Sequence, residues 1–214
     1  PEFCGCVARA DTPALAGTYH RSAQLVTVLA APTALTLIFF SERILSLWTG
    51  DSVLVQEVAP LLALLSVGSL LNGFMTAPYM LTLAYGWPGF AVRVNAWAVT
   101  ILVPAIVWAT YNFGAMGAAW AWVLLNVGYV LFGIRYLHSR LLPSEMWRWY
   151  RHDIVQPLIG AIGATALCSA YSQGVASGLN ELLLIVASWI GSAFFSALFA
   201  PAIREKILIL RNCR

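Results

Sequence analysis

VNAWAVTILVPAIVWATYNFGAMGAAWAWVLLNVGYVLFGI, residues 94–134, runs for 41 positions without a charged side chain. A helix needs about 20 mostly apolar residues to cross roughly 30 Å of hydrocarbon, so this stretch is long enough to cross twice. Near its middle stands Asn112-Phe113-Gly114, a helix-breaking run that predicts a tight reversal between two antiparallel helices.

The same count applied outward finds uncharged stretches at 22–41, 58–92, 154–180 and 182–203. The second holds one helix to about Tyr85, followed by the turn Gly86-Trp87-Pro88-Gly89, and a polar run from Tyr171 to Gly178 separates the last two. The expected fold is all-α, a polytopic membrane protein with six transmembrane helices at about 22–48, 58–85, 94–112, 114–137, 154–172 and 181–203. Residues 1–21 form an N-terminal segment, 143–153 a linker and 204–214 a tail.

Composition leads to the same class. Of 214 residues, 60% are hydrophobic and only 10% charged, with a mean hydropathy of +0.78, whereas soluble domains carry about 25% charged residues. So apolar a chain has no reason to remain disordered. Its twelve basic residues are thinly spread and the net charge is +3, which gives no footprint for nucleic acid.

Basic residues collect on the cytoplasmic side of membrane proteins. With six crossings, eleven of the twelve fall on one side: Arg9, Arg21, Arg93, Arg135, Arg140, Arg148, Arg151, Arg204, Lys206, Arg211 and Arg214, against Arg43 alone. Both termini are therefore expected in the cytoplasm. Trp48, Trp87, Tyr111, Trp147, Trp149 and Tyr150 stand at span ends, where headgroup depth suits an apolar ring with a polar tip. The linker reads either as a surface-lying segment or as a solvated loop.

Chemistry is harder to find. HExxH, GxSxG and paired aspartates are absent, and all nine acids lie in end segments or connections, so no enzyme activity is expected. Cys4, Cys6, Cys168 and Cys213 make no CxxC and no ligand set with His20, His138 and His152; free thiols, no metal and no cofactor follow.

Small residues at helical spacing, Ser188, Ser192, Ser196 and Ala200 near the end and Gly160, Ala164 and Cys168 before them, predict close helix packing. Among prolines within or at the ends of spans, Pro78, beside Asn72 and Gly73, is the expected functional kink; Gly73 and Pro104 are the other hinge candidates. Asn72, Asn95 and Asn126 lie at membrane depth, with Arg93 at its edge. Asparagine amides suit either sugar hydroxyls or interhelical hydrogen bonds. Arg93 suits either an anionic diphosphate or an ordinary positive-inside anchor.

Three stretches together resemble a family. They are residues 11–50, from Asp11-Thr12-Pro13 through Pro32 to Leu47-Trp48-Thr49-Gly50; the second helix from Ala59-Pro60 to Leu83-Ala84-Tyr85-Gly86; and Phe113-Gly114-Ala115-Met116-Gly117-Ala118-Ala119-Trp120-Ala121-Trp122. Read in order over about 11–142, they resemble the Wzx-like lipid-linked oligosaccharide (O-antigen) flippases of the multidrug/oligosaccharidyl-lipid/polysaccharide exporter superfamily. The resemblance implies a two-bundle, MATE-like transporter of which these helices form the C-terminal portion. The first bundle and the opening helices of the second would then lie before position 1. It implies a bacterial inner-membrane location, alternating access, an undecaprenyl-diphosphate oligosaccharide substrate and a polysaccharide polymerase or export machinery as partner. Other classes compatible with the spans are a multidrug or ion antiporter of that superfamily, a membrane-embedded polymerase, and a structural subunit or non-functional remnant.

Overall fold

A computed structural model of the chain describes residues 2–172 and 179–204; Pro1, the polar stretch 173–178 and the residues from 205, with Lys206, Arg211, Cys213 and Arg214, lie outside the described residues. Among the described residues every regular element is helical: α1 (Glu2–Ala8), α2 (Thr12–Phe39), α3 (Ser41–Thr49), α4 (Ser52–Phe74), α5 (Thr76–Ala84), α6 (Pro88–Gly128), α7 (Ile134–Leu141), α8 (Met146–Arg148), α9 (Gln156–Tyr171) and α10 (Leu179–Leu198). Two π-helical turns, Tyr129–Gly133 and Trp149–Val155, join α6 to α7 and α8 to α9.

Helix α2 is the hub of the bundle, touching α1, α4, α5, α9 and α10. It begins well before the uncharged stretch at 22. The Asp11 carboxylate accepts from Ala14 N at 3.0 Å, and Pro13 occupies the first turn, where its missing N–H costs nothing. Leu15, Tyr19, Ala23, Thr27 and Ala31 recur every four residues and are all buried, so one continuous face carries the packing. Most of these side chains are small, which lets neighbouring backbones approach closely.

The next rod bends at Met75, where α4 gives way to α5. Pro78, in the first turn of α5, has no N–H to offer the Phe74 carbonyl, which accounts for the interruption. Gly73 sits against α2, where a Cβ would lie 3.6 Å from the Ala30 Cβ. Pro32, Pro60 and Pro104 lie inside helices that continue past them. The helix is interrupted three residues before Pro78, and α6 continues past Pro104.

Helix α6 doubles back on itself. Gly114, at φ 63° and ψ −151°, occupies a region essentially closed to residues with a Cβ, and it divides the helix into two arms. A Cβ on Gly117 would overlap the Ala109 carbonyl, although eight residues of straight helix would hold those positions about 12 Å apart. Farther along the arms, the Tyr129 hydroxyl donates to Asn95 Oδ1 at 3.2 Å. The arms are therefore antiparallel. Trp122 on the return arm lies directly over Gly68 of α4, filling the space a larger residue would need.

Among the described residues five helical rods, 12–39, 52–84, 92–141, 146–171 and 179–198, are long and apolar enough to cross a membrane. The third is folded in two at Gly114 and each arm exceeds the about 20 residues a crossing requires, so six lengths of helix are long enough to cross. The chain is an all-α polytopic membrane protein. Trp97, Val99, Val103 and Val107 are exposed on the first arm, as expected where lipid is the solvent.

Side-chain pairs fix which helix ends lie together. His20 and Gln24, early in α2, bond Asp153, just before α9; Gln24 Oε1 also receives Ala202 N, just after α10, at 2.8 Å. At the opposite end, Arg43 of α3 donates to the Ser172 carbonyl at 2.8 Å and to Glu181 Oε1, at the start of α10, at 3.4 Å. Thus α9 runs parallel to α2, and α10 runs back against both.

Helices α9 and α10 form the tightest pair. Ser188, Ser192 and Ser196 are fully buried along one face of α10, Ala200 is buried just past the end of the helix, which stops at Leu198 and not at 203, and Ser192 Oγ donates to the Ala161 carbonyl at 3.1 Å. Gly160 and Ala161 are buried opposite them, while Ala164 and Cys168 are only half-buried. Cys4, Cys6 and Cys168 are free thiols.

The linker is helical from Met146 onward, with Trp149 and Asp153 buried against the bundle and Pro143, Ser144, Trp147, Arg148 and Arg151 exposed. The turn Trp149–Val155 folds into the end of the bundle and runs without a break into α9. Trp149, expected at headgroup depth, is fully buried, with its ring 6.0 Å from that of His138. Trp147, Trp48 and Tyr111 do face outward.

Candidate functional site

A cavity of about 310 Å³ opens between α4–α5 and the α6 hairpin. Its polar lining comes from Asn72, Thr76, Tyr79, Thr82, Asn95 and Tyr129, and Met75, Val94, Gly133 and Leu137 complete the wall. Each element contributes for a local reason. The break at Met75 turns α5 so that Thr76, Tyr79 and Thr82 follow one another on a single face. The reversal at Gly114 brings Asn95 and Tyr129, 34 positions apart, into hydrogen-bond contact. The π-helical turn inserts one extra residue into the return arm, presenting Tyr129 and Gly133 to the same space. Among the described residues the lining carries amides and hydroxyls and no charged group, so it can exchange neutral hydrogen bonds with a solute.

The four sequence candidates separate here. Asn72 and Asn95 line the cavity. Asn126 is fully buried beside it, accepting from Asn72 Nδ2 at 2.9 Å and donating to the Trp122 carbonyl at 2.8 Å. It is an interhelical tie whose carbonyl holds the Asn72 amide in place. Arg93 is exposed and absent from the lining, so it supplies no cation to this cavity. A larger cleft of about 810 Å³ between the hairpin arms is lined by Leu102, Trp108, Met116, Trp120 and other apolar groups, and it suits lipid chains.

A second polar centre went unread in the sequence. His20 Nδ1 bonds Asp153 Oδ2, and His20 Nε2 lies 2.9 Å from Glu145 Oε2. Gln24 Nε2 donates to Asp153 Oδ1 at 2.8 Å. His20, Gln24 and Asp153 are buried, and Arg148 stands 3.7 Å from Glu145. The partners are more than 120 positions apart, so no spacing rule could join them. The available signal was the placement of all three groups at the same predicted membrane face. Among the described residues no group of three or more His, Cys, Asp or Glu is arranged to hold a metal ion.

Compared with known proteins, the chain matches no family model, no curated protein and no solved structure.

Proposed function

We propose that the chain is part of a membrane transporter that moves a lipid-linked oligosaccharide across the bacterial cytoplasmic membrane, with both termini cytoplasmic, in the manner of the flippases its sequence resembles. One observation carries the reading: the polar cavity of Asn72, Thr76, Tyr79, Thr82, Asn95 and Tyr129, together with an apolar cleft between the arms of the same α6 hairpin. Amides and hydroxyls match sugar hydroxyls, and the cleft offers a polyprenyl tail a route that never leaves an apolar surface. No bond in the substrate need break, so the reading asks for positioning and movement rather than catalysis. Movement would use the bends at Met75 and Gly114, and alternating access would expose the cavity to each side in turn. Because Arg93 lies outside the cavity lining, the diphosphate would be held elsewhere in the assembly.

The test is a vesicle assay in which a lipid-linked oligosaccharide becomes accessible to an enzyme added outside, using the complete protein. The reading expects transport to fall when Asn72 and Asn95 are both changed to alanine and to persist in Arg93→Gln. Transport unaffected by Asn72→Ala/Asn95→Ala, in protein that remains folded, would remove the cavity from the mechanism.

A further inference from the structure

Both nitrogens of the His20 ring face carboxylates, Nδ1 towards Asp153 and Nε2 towards Glu145. A neutral imidazole has one N–H and one lone pair, so it can donate to only one of them, and two ionised carboxylates can only accept. The geometry therefore calls for one proton more than neutral His20 with two carboxylates provides. That proton sits either on the ring, making an imidazolium between two carboxylates, or on one carboxyl, which then donates to the ring. We propose that His20, Asp153 and Glu145 form a buried proton-binding site that latches the linker before α9 onto α2.

The surroundings favour a bound proton that matters. Gln24 donates to the second oxygen of Asp153, so Asp153 keeps a partner whatever happens at the ring. Glu145 is the more exposed carboxylate, with Arg148 alongside it. The other titratable groups packed around the site are Tyr19, whose ring is 5.4 Å from that of His20, His138, 5.5 Å from Tyr19, and Tyr150 on the linker. The Tyr19 hydroxyl and His138 Nε2 are buried without a hydrogen-bond partner among the described residues.

Loss of the proton leaves one ring lone pair facing a carboxylate. Glu145, with solvent and Arg148 as alternatives, is the group that leaves. The first part of the linker then loosens while Asp153 stays. Tyr150 of the same linker donates to the Val130 carbonyl at 2.5 Å, inside the π-helical turn whose Tyr129 and Gly133 line the cavity. The latch thus bears directly on the cavity wall, and it does not depend on what the cavity carries.

The test uses the full chain in lipid nanodiscs, with ¹⁵N-labelled histidine and backbone hydrogen exchange followed together through a pH series. The His20 signal is assigned by its loss in His20→Gln, and infrared spectra detect any protonated carboxyl. The expected result is an imidazolium at His20, or a carboxylic acid that disappears in Glu145→Gln or Asp153→Asn. As pH rises and that proton leaves, amides of 146–150 should exchange faster by about tenfold, the scale of one lost buried hydrogen bond. Glu145→Gln, on the exposed side of the site, keeps the fold and can pair with a neutral ring, so its linker exchange should lose this pH step. Neutral His20 with both carboxylates ionised at every pH where the protein is folded would overturn the proposal. So would loss of the proton without change at 146–150, or an unaltered step in Glu145→Gln.

Discussion

Two glycines three positions apart in α9 are predicted to respond oppositely to the same substitution. A Cβ on Gly160 would lie 2.7 Å from the Phe195 carbonyl oxygen and 3.0 Å from Phe199 Cδ2. Ordinary contact begins at 3.4 Å, so the carbonyl is too close by about 0.7 Å. That carbonyl belongs to the backbone of α10 and cannot rotate away as a side chain would. Overpacking of this kind costs about 1–3 kcal/mol, while replacing a helical glycine by alanine gains about 1 kcal/mol. Gly160→Ala should therefore be less stable by about 1 kcal/mol on balance. Gly163 has nothing within 4 Å of its hypothetical Cβ, so Gly163→Ala should be more stable by up to about 1 kcal/mol. Reversible unfolding in mixed micelles, followed by helical circular dichroism, would measure both. If Gly160→Ala stabilises as much as Gly163→Ala, α9 and α10 do not approach as closely as described, and the role given to Ser188, Ser192 and Ser196 falls with it.

Other perturbations probe the remaining joints. A double-mutant cycle on Asn72→Ala and Asn126→Ala, read by the same unfolding measurement, should give a coupling of about 0.6 kcal/mol and no more than about 1.7, the range for hydrogen bonds between membrane helices; zero coupling would separate the two amides. Gly114→Ala should cost about 1–3 kcal/mol through backbone strain. Gly114→Asn should not rescue it, because asparagine tolerates the left-handed helical region and not ψ near −151°. Arg43→Gln removes the bonds to Ser172 and Glu181 and should destabilise by about 1–3 kcal/mol. Exposed Arg93→Gln should leave stability unchanged, and equal effects would contradict the burial assigned to the Arg43 pair.

The sequence alone determined the solvent and the number of passes. Uncharged runs of fixed minimum length are a one-dimensional consequence of bilayer thickness, and the break at Asn112-Phe113-Gly114 is a local backbone property that needs no partner to be read. The serine stripe of α10 was legible for the same reason, since helical periodicity alone places Ser188, Ser192 and Ser196 on one face. Tertiary structure decided everything that depends on which faces meet. It sent Asn72 and Asn95 to a cavity and buried Asn126 between helices, although the three asparagines looked alike in sequence, and it left Arg93 outside the cavity. It also drew the linker inward, because Asp153 finds hydrogen-bonding partners on α2, far away in the chain, and Trp149 packs beside His138 of α7. His20, Glu145 and Asp153 read singly as charges at helix ends. Only the parallel packing of α2 and α9 makes them one buried site, because a hydrogen bond depends on distance in space and carries no trace in sequence spacing.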